Sequence, residues 1–88
     1  MMRERDVVDR LIARVRALGG DVRKARWLGR NGAPDLFVLL PGRHLFVELK
    51  RPGAKPTMIQ LREHARLRAA GCRVEVVDSI ERADEVAL

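Results

Sequence analysis

With 88 residues the chain sits near the small end of what folds alone, so one stand-alone domain over 1–88 is expected, with a modest core that a partner subunit would help. Hydrophobic residues make up 47% and aromatics only 3%, so the core must be built from Leu, Val, Ile and Ala, while 34% charged residues imply a wet surface. Eighteen Lys and Arg against 12 Asp and Glu give a net charge of +6, which favours a polyanionic partner such as nucleic acid, and the single Cys72 excludes an intrachain disulfide and a cysteine-based zinc cluster.

From Glu4 to Leu18, Val7, Val8, Leu11, Ile12, Val15 and Leu18 recur at three- and four-residue steps and Gly19-Gly20 follows, an amphipathic helix with a glycine stop. No apolar run approaches the roughly 18 residues of a membrane span. Because the chain opens with the charged MMRERD, a cytosolic protein without membrane partners is expected. Asp21 to Trp27 places Val22, Ala25 and Trp27 at near-alternating positions, as in a short edge strand. GRNGAP, Gly29 to Pro34, reads as a loop, and Asp35 to Leu40 as a buried strand. Pro41 to His44 turns the chain into a second strand, Leu45 to Lys50, giving an antiparallel hairpin. After the loop Arg51 to Pro56, Thr57 to Ala70 carries Ile59, Leu61, Ala65 and Leu67 and reads as a helix ended by Gly71. Cys72 to Val77 is a further strand, with Cys72 a small core residue, and Ile80 to Leu88 closes with a short helix. Strand, helix and strand in that order suggest a parallel, right-handed crossover beside the hairpin. The expected order is αβββαβ, an α/β fold with a mixed sheet flanked by helices.

Asp35 stands at the mouth of an apolar strand, where a bare carboxylate must be solvated, paired or holding a cation. If Pro41 to His44 form the turn, Leu40 faces Leu45, Phe37 faces Glu48 and Asp35 faces Lys50, with all three charges on one face of the hairpin. Lys50 could then simply neutralise Asp35. Yet Glu48 lies between Val47 and Leu49 on a strand expected to be covered, and two carboxylates converging on a half-buried face suit a divalent cation with oxygen ligands.

Pro34-Asp35 followed by Glu48-Leu49-Lys50 resembles the PD-D/ExK nuclease superfamily. With GRNGAPDLFVLLPG, FVELKRPG and KPTMIQ, the likeness sharpens to the virus-type replication and repair nuclease family, VRR-NUC, from Glu4 to about Ser79. That resemblance implies a restriction-endonuclease-like core and a metal-dependent nuclease, with Asp35, Glu48 and the backbone carbonyl of Leu49 binding Mg²⁺ or Mn²⁺ and Lys50 as the catalytic lysine. It also assigns Glu4 as an N-terminal acid near the metal or its water, and Gln60 as a site glutamine on the following helix. Compact stand-alone members of this size resemble Holliday-junction resolvases, so branched DNA and a homodimer are the expected substrate and state. Met58, where the family often has proline, and Ala33, where it has larger apolar residues, depart from the pattern without touching the proposed chemistry.

Plainer readings stand beside these. An acid in a first helical turn suits the helix dipole, which would explain Glu4, and Thr57-Met58-Ile59-Gln60 fits a capping box, which would explain Gln60. Lys24 is a candidate site lysine or a solvated strand lysine, and Arg26, Arg30, Arg43, Arg51 and Lys55 are candidate phosphate contacts or surface cations. The alternatives to a structure-directed DNA endonuclease are a non-catalytic nucleic-acid-binding domain that keeps the fold, or a flap-directed, restriction-type or RNA-directed nuclease.

Overall fold

The computed structural model describes residues 2–87. The first helix, α1, runs Glu4–Ala17 and buries Val7, Leu11 and Val15, one residue per turn of a single stripe. A strand β1, Asp21–Lys24, follows, then β2, Leu36–Leu40, and β3, Arg43–Leu49. The crossover helix α2 is Met58–Ala69, β4 is Val74–Val77, and α3 is Ile80–Val86, with the Ser79 hydroxyl accepting from Arg82 N–H at 3.1 Å as its cap. Leu88, the expected end of the last helix, lies outside the described residues. Among the described residues, no helix is long and apolar enough to cross a membrane.

The four strands form one mixed sheet in the order β1-β2-β3-β4, antiparallel up to β3 and parallel between β3 and β4. Alternation divides its side chains between two layers. Val38, Leu40, Leu45, Val47, Leu49 and Val77 join Val7, Leu11, Val15, Ala83, Val86 and Ala87 in the buried core, so α1 and α3 cover one face. Arg10 ties those two helices together with a two-pronged bond to Asp84 at 2.9 and 3.1 Å. Phe37, Phe46 and Glu48 point to the other face, where α2 lies.

Three expectations are corrected. The hairpin turn is two residues, Pro41-Gly42, because proline fixes a negative φ and Gly42 takes φ +73°, the sign pattern of a type II turn. Leu40 therefore pairs with Arg43 and Phe37 with Phe46, and continuing that register sets Asp35 opposite Glu48, not Lys50. The offset is two residues, so every side chain keeps its face; an odd slip would have reversed them. Asp35 and Lys50 fall just outside β2 and β3, although Lys50 N–H still donates to Val77 O at 3.0 Å.

The edge strand ends early. After Ala25 N–H donates to Asp35 O at 2.9 Å the chain leaves the sheet, because Trp27 packs edge-on against Phe46 and its indole N–H donates to Glu63 at 2.6 Å. Cys72 and Arg73 precede β4: the Cys72 N–H donates to Leu67 O and completes the turn after α2, leaving the thiol half-buried. The third correction concerns how α2 is held. Met58, Ile59 and Leu61 are 63%, 54% and 44% exposed, and the residues it buries are Glu63 and His64. Its inner face is polar.

Candidate active site

Glu4, Asp35, Glu48, Leu49, Lys50, Arg51, Ala54 and Gln60 line an open depression of about 340 Å³ at the end of the sheet where β3 stops. Pro34 is fully buried, and this anchors the chain immediately before Asp35. The Asp35 Oδ2 then accepts from Leu49 N–H at 2.7 Å, a bond across to the neighbouring strand that fixes the carboxylate at the sheet end.

Glu48 is 1% exposed and sits between β2 and β4, opposite Val76 on the parallel side. Gln60 Nε2 donates to its Oε2 at 3.4 Å and His64 Nε2 lies 3.1 Å from its Oε1, so both oxygens are held by residues one turn apart on α2. Burial pushes the Glu48 carboxyl up to about 8, and hydrogen bonding and repulsion from Asp35 add to it; Lys50 acts the other way and Glu4 adds a smaller increase. A cation between the acids would relieve both causes.

Gln60 completes the capping box and also lines the depression. Its backbone N–H donates to Thr57 Oγ1 at 3.2 Å and its Oε1 accepts from Thr57 N–H at 2.9 Å, the reciprocal pair of a capping box. With the carbonyl oxygen spent on the cap, the amide nitrogen is aimed at Glu48. Lys50 lines the depression, yet among the described residues it makes no ion pair with Asp35 within 4.0 Å, so simple neutralisation does not account for that acid. Glu4 reaches the same depression from the first turn of α1.

The flanking cations divide. Arg51 lines the depression. Arg30 instead pairs with Glu63 at 3.2 Å on the far side of α2. Lys24 is exposed on the edge strand level with Leu36, and Arg26 and Lys55 are exposed in loops. Arg43 stands at the opposite end of β3 from Glu48, with Nη2 directed at Ala87 O at 3.5 Å, so it does not flank the acids as the sequence suggested.

His64 was not foreseen. A lone histidine in a helix signals nothing by itself, although its position four residues after Gln60 put it on the same helical face. It is fully buried, and burial, reinforced by Arg68 and Lys50, holds its pKa below the ordinary value. Its Nε2 faces Glu48, and its Nδ1 has no hydrogen-bond partner among the described residues.

The donor set can be tested against the ion that the family implies. Among the described residues, no three His, Cys, Asp or Glu side chains gather into a complete metal cage. Asp35 and the buried Glu48 instead form a two-carboxylate pair at the wall of the open depression, the arrangement that suits Mg²⁺, which keeps several waters and takes one or two carboxylates. The residues fit.

No protein-family model matches the chain. It is 50% identical over 80 residues to "Putative nuclease p44" of Acyrthosiphon pisum secondary endosymbiont phage 1, spanning 90% of this chain and 86% of that protein. A solved structure described as "VRR_NUC domain" superposes with a TM-score of 0.87 at 45% identity, over 98% of this chain and 95% of the other. Fold and relatives agree on the class, a nuclease domain with a mixed sheet between helices. Within that class the chain belongs to the VRR-NUC family.

Proposed function

We propose that the chain is a metal-dependent, structure-directed DNA endonuclease that hydrolyses phosphodiester bonds, acting as a homodimer on branched DNA such as a four-way junction. The observation that carries this reading is the pairing of Asp35 with a buried Glu48 at one rim of an open depression that also holds Lys50 and Gln60. Asp35, Glu48 and the Leu49 carbonyl would hold Mg²⁺ or Mn²⁺, with Glu4 reaching it directly or through water. The ion, when bound, supplies a water of lowered pKa and polarises the phosphate.

The chain supplies the remainder. Gln60 and His64 keep the Glu48 carboxylate in one orientation. Lys50 orients the attacking water and offsets charge as it develops on the phosphate oxygens. Water adds at phosphorus, the bond to the leaving sugar oxygen breaks, and Arg51 at the rim steadies the phosphate. What supports the dimer is a row of exposed apolar side chains on α2, Met58, Leu61, Ala65 and Ala69, at helical spacing, with Arg62 at its margin and no partner element over it among the described residues. A two-fold interface would present two such sites to a symmetric junction.

The test is cleavage of labelled four-way junction, flap, duplex and single-stranded DNA with Mg²⁺ or Mn²⁺, beside Asp35→Ala and Lys50→Ala. Junction cutting that is lost in both variants is the expected result. No cutting of any substrate with either ion defeats the enzyme reading, and normal cutting by both variants defeats the site.

A further inference from the structure

We infer that the cleft between the Gly29–Pro34 loop and α2 is a second phosphodiester-binding site, which takes the backbone of a nucleic-acid strand on Arg30, Asn31, Arg62 and Arg66. It lies on the flank of α2 turned away from Glu48. The inference rests on the nucleic-acid-directed reading above and extends it to residues that the family resemblance leaves unassigned.

The cleft is lined by Arg30, Asn31, Ile59, Arg62 and Arg66 and encloses about 290 Å³. Its organiser is Glu63, whose side chain is 7% exposed. Glu63 Oε2 accepts from the Trp27 indole at 2.6 Å, while Oε1 takes Arg30 Nη2 at 3.2 Å and Arg66 Nη1 at 3.3 Å. Burial alone would raise the Glu63 pKa; the indole and guanidinium bonds override it and keep the group ionised. Each guanidinium has five N–H donors in a planar fork, so one contact with Glu63 fixes its plane and leaves most donors unspent.

A latch that only fastened the loop would be neutralised by what it fastens. Here two guanidiniums, Arg30 and Arg66, share a single carboxylate, and the third in the cleft, Arg62, makes no ion pair among the described residues. Two arginines on one carboxylate recur at Asp84 and Asp21, so what sets this cleft apart is the added, unpaired Arg62 on the same wall. The loop wall is also held closely. Gly32 approaches α2 so tightly that a Cβ there would lie 3.1 Å from the Ile59 carbonyl oxygen and 3.3 Å from Glu63 Cβ. Arginines on a rigid wall, with surplus positive charge and planar donors, match phosphate oxygens better than any neutral ligand.

Position completes the inference. Ile59 lines this cleft and Gln60, the next residue, lines the catalytic depression, so α2 is the ridge between them. A strand with one phosphate at the acids can continue over that ridge. Phosphate contacts of this kind set register and orientation without reading sequence, which suits an enzyme that recognises shape.

The test is equilibrium binding of a fluorescent four-way junction in EDTA, followed by anisotropy over a salt series. Arg62→Gln/Arg66→Gln should weaken binding at least tenfold, and should lower the slope of log K against log salt by about 2, near one unit per phosphate contact. Arg62→Gln alone, which removes no internal bond, should lower the slope by about 1 and melt like the parent protein. Arg5→Gln/Arg73→Gln, equal in charge removed but placed elsewhere, should leave the slope unchanged. The inference is overturned if Arg62→Gln binds with the parent slope, or if the control pair loses as much as the cleft pair. If the parent protein cuts the junction while the cleft variants bind normally, only this inference fails; if the parent neither binds nor cuts, the functional reading falls with it.

Discussion

His64 Nε2 lies 3.1 Å from Glu48 Oε1, and both side chains are 1% exposed, so the imidazole has no polar work apart from this one carboxylate. Partners of this kind orient a metal-binding group, and their loss typically costs about 10–100-fold in metal affinity. His64→Ala should therefore weaken Mn²⁺ binding in calorimetry by that factor. His64→Gln, which retains a donor, should recover part of it. Equal Mn²⁺ affinity in the parent and His64→Ala would remove the orienting role.

The Glu48 carboxyl also makes the stability of the metal-free protein depend on pH. In the fold it titrates at about 8, against an ordinary 4.5, so between those values the unfolded chain holds fewer protons and stability falls as pH rises. His64, with its pKa lowered from 6.5, acts in the opposite direction below that value, which leaves pH 6.5 to 8 as the clean window. Thermal melts of the metal-free protein should drop across that window and those of Glu48→Gln should drop less. Identical profiles would show that Glu48 is ionised throughout.

The apolar strip on α2 gives the homodimer a sharp test. Leu61 is 44% exposed, so Leu61→Glu should change monomer stability by no more than about 0.5 kcal/mol, the usual range for a surface change. If the strip is the two-fold contact, light scattering should report half the parent mass for this variant, and paired incision of a junction should become single. An unchanged mass would place the contact elsewhere.

Thr57 caps α2 and also determines where Gln60 points. Thr57→Ala should cost about 1 kcal/mol of stability, as N-cap deletions do, and Thr57→Ser should restore it. The change removes the hydroxyl acceptor but keeps the Thr57 backbone N–H that holds the Gln60 carbonyl at 2.9 Å, so Mn²⁺ affinity should stay at the parent value while the melting temperature falls. Weaker Mn²⁺ binding by Thr57→Ala would show that the backbone bond alone does not position Gln60.

Much of this was legible in the sequence because it depends on parity and punctuation. The glycine and proline signals marked every connection except Asp78-Ser79 before α3, and the alternation of Asp35, Phe37 and Leu39 against Phe46 and Glu48 put the acids on one face even though the register was two residues off. The register itself depended on whether Pro41-Gly42 or Pro41 to His44 made the turn, a choice of backbone sign at Gly42 that composition does not reveal. Trp27 was read as a strand residue because its partner, Glu63, lies 36 positions away in the chain. His64 was silent for a related reason: a buried polar contact has no periodicity to announce it.

The polar underside of α2 has a consequence for motion. The aliphatic core lies almost wholly between α1, α3 and the opposite face of the sheet, so α2 is fastened by polar contacts at Glu48 and Glu63 more than by apolar burial. Segments with few buried apolar contacts open at the lowest free energy, so in native-state hydrogen exchange the amides of α2 should trade with deuterium before those of α1. A cation at Asp35 and Glu48 would settle the carboxylate that α2 grips, and should slow that exchange. On the proposed function, the ion would then also act as the keystone of a weakly anchored helix.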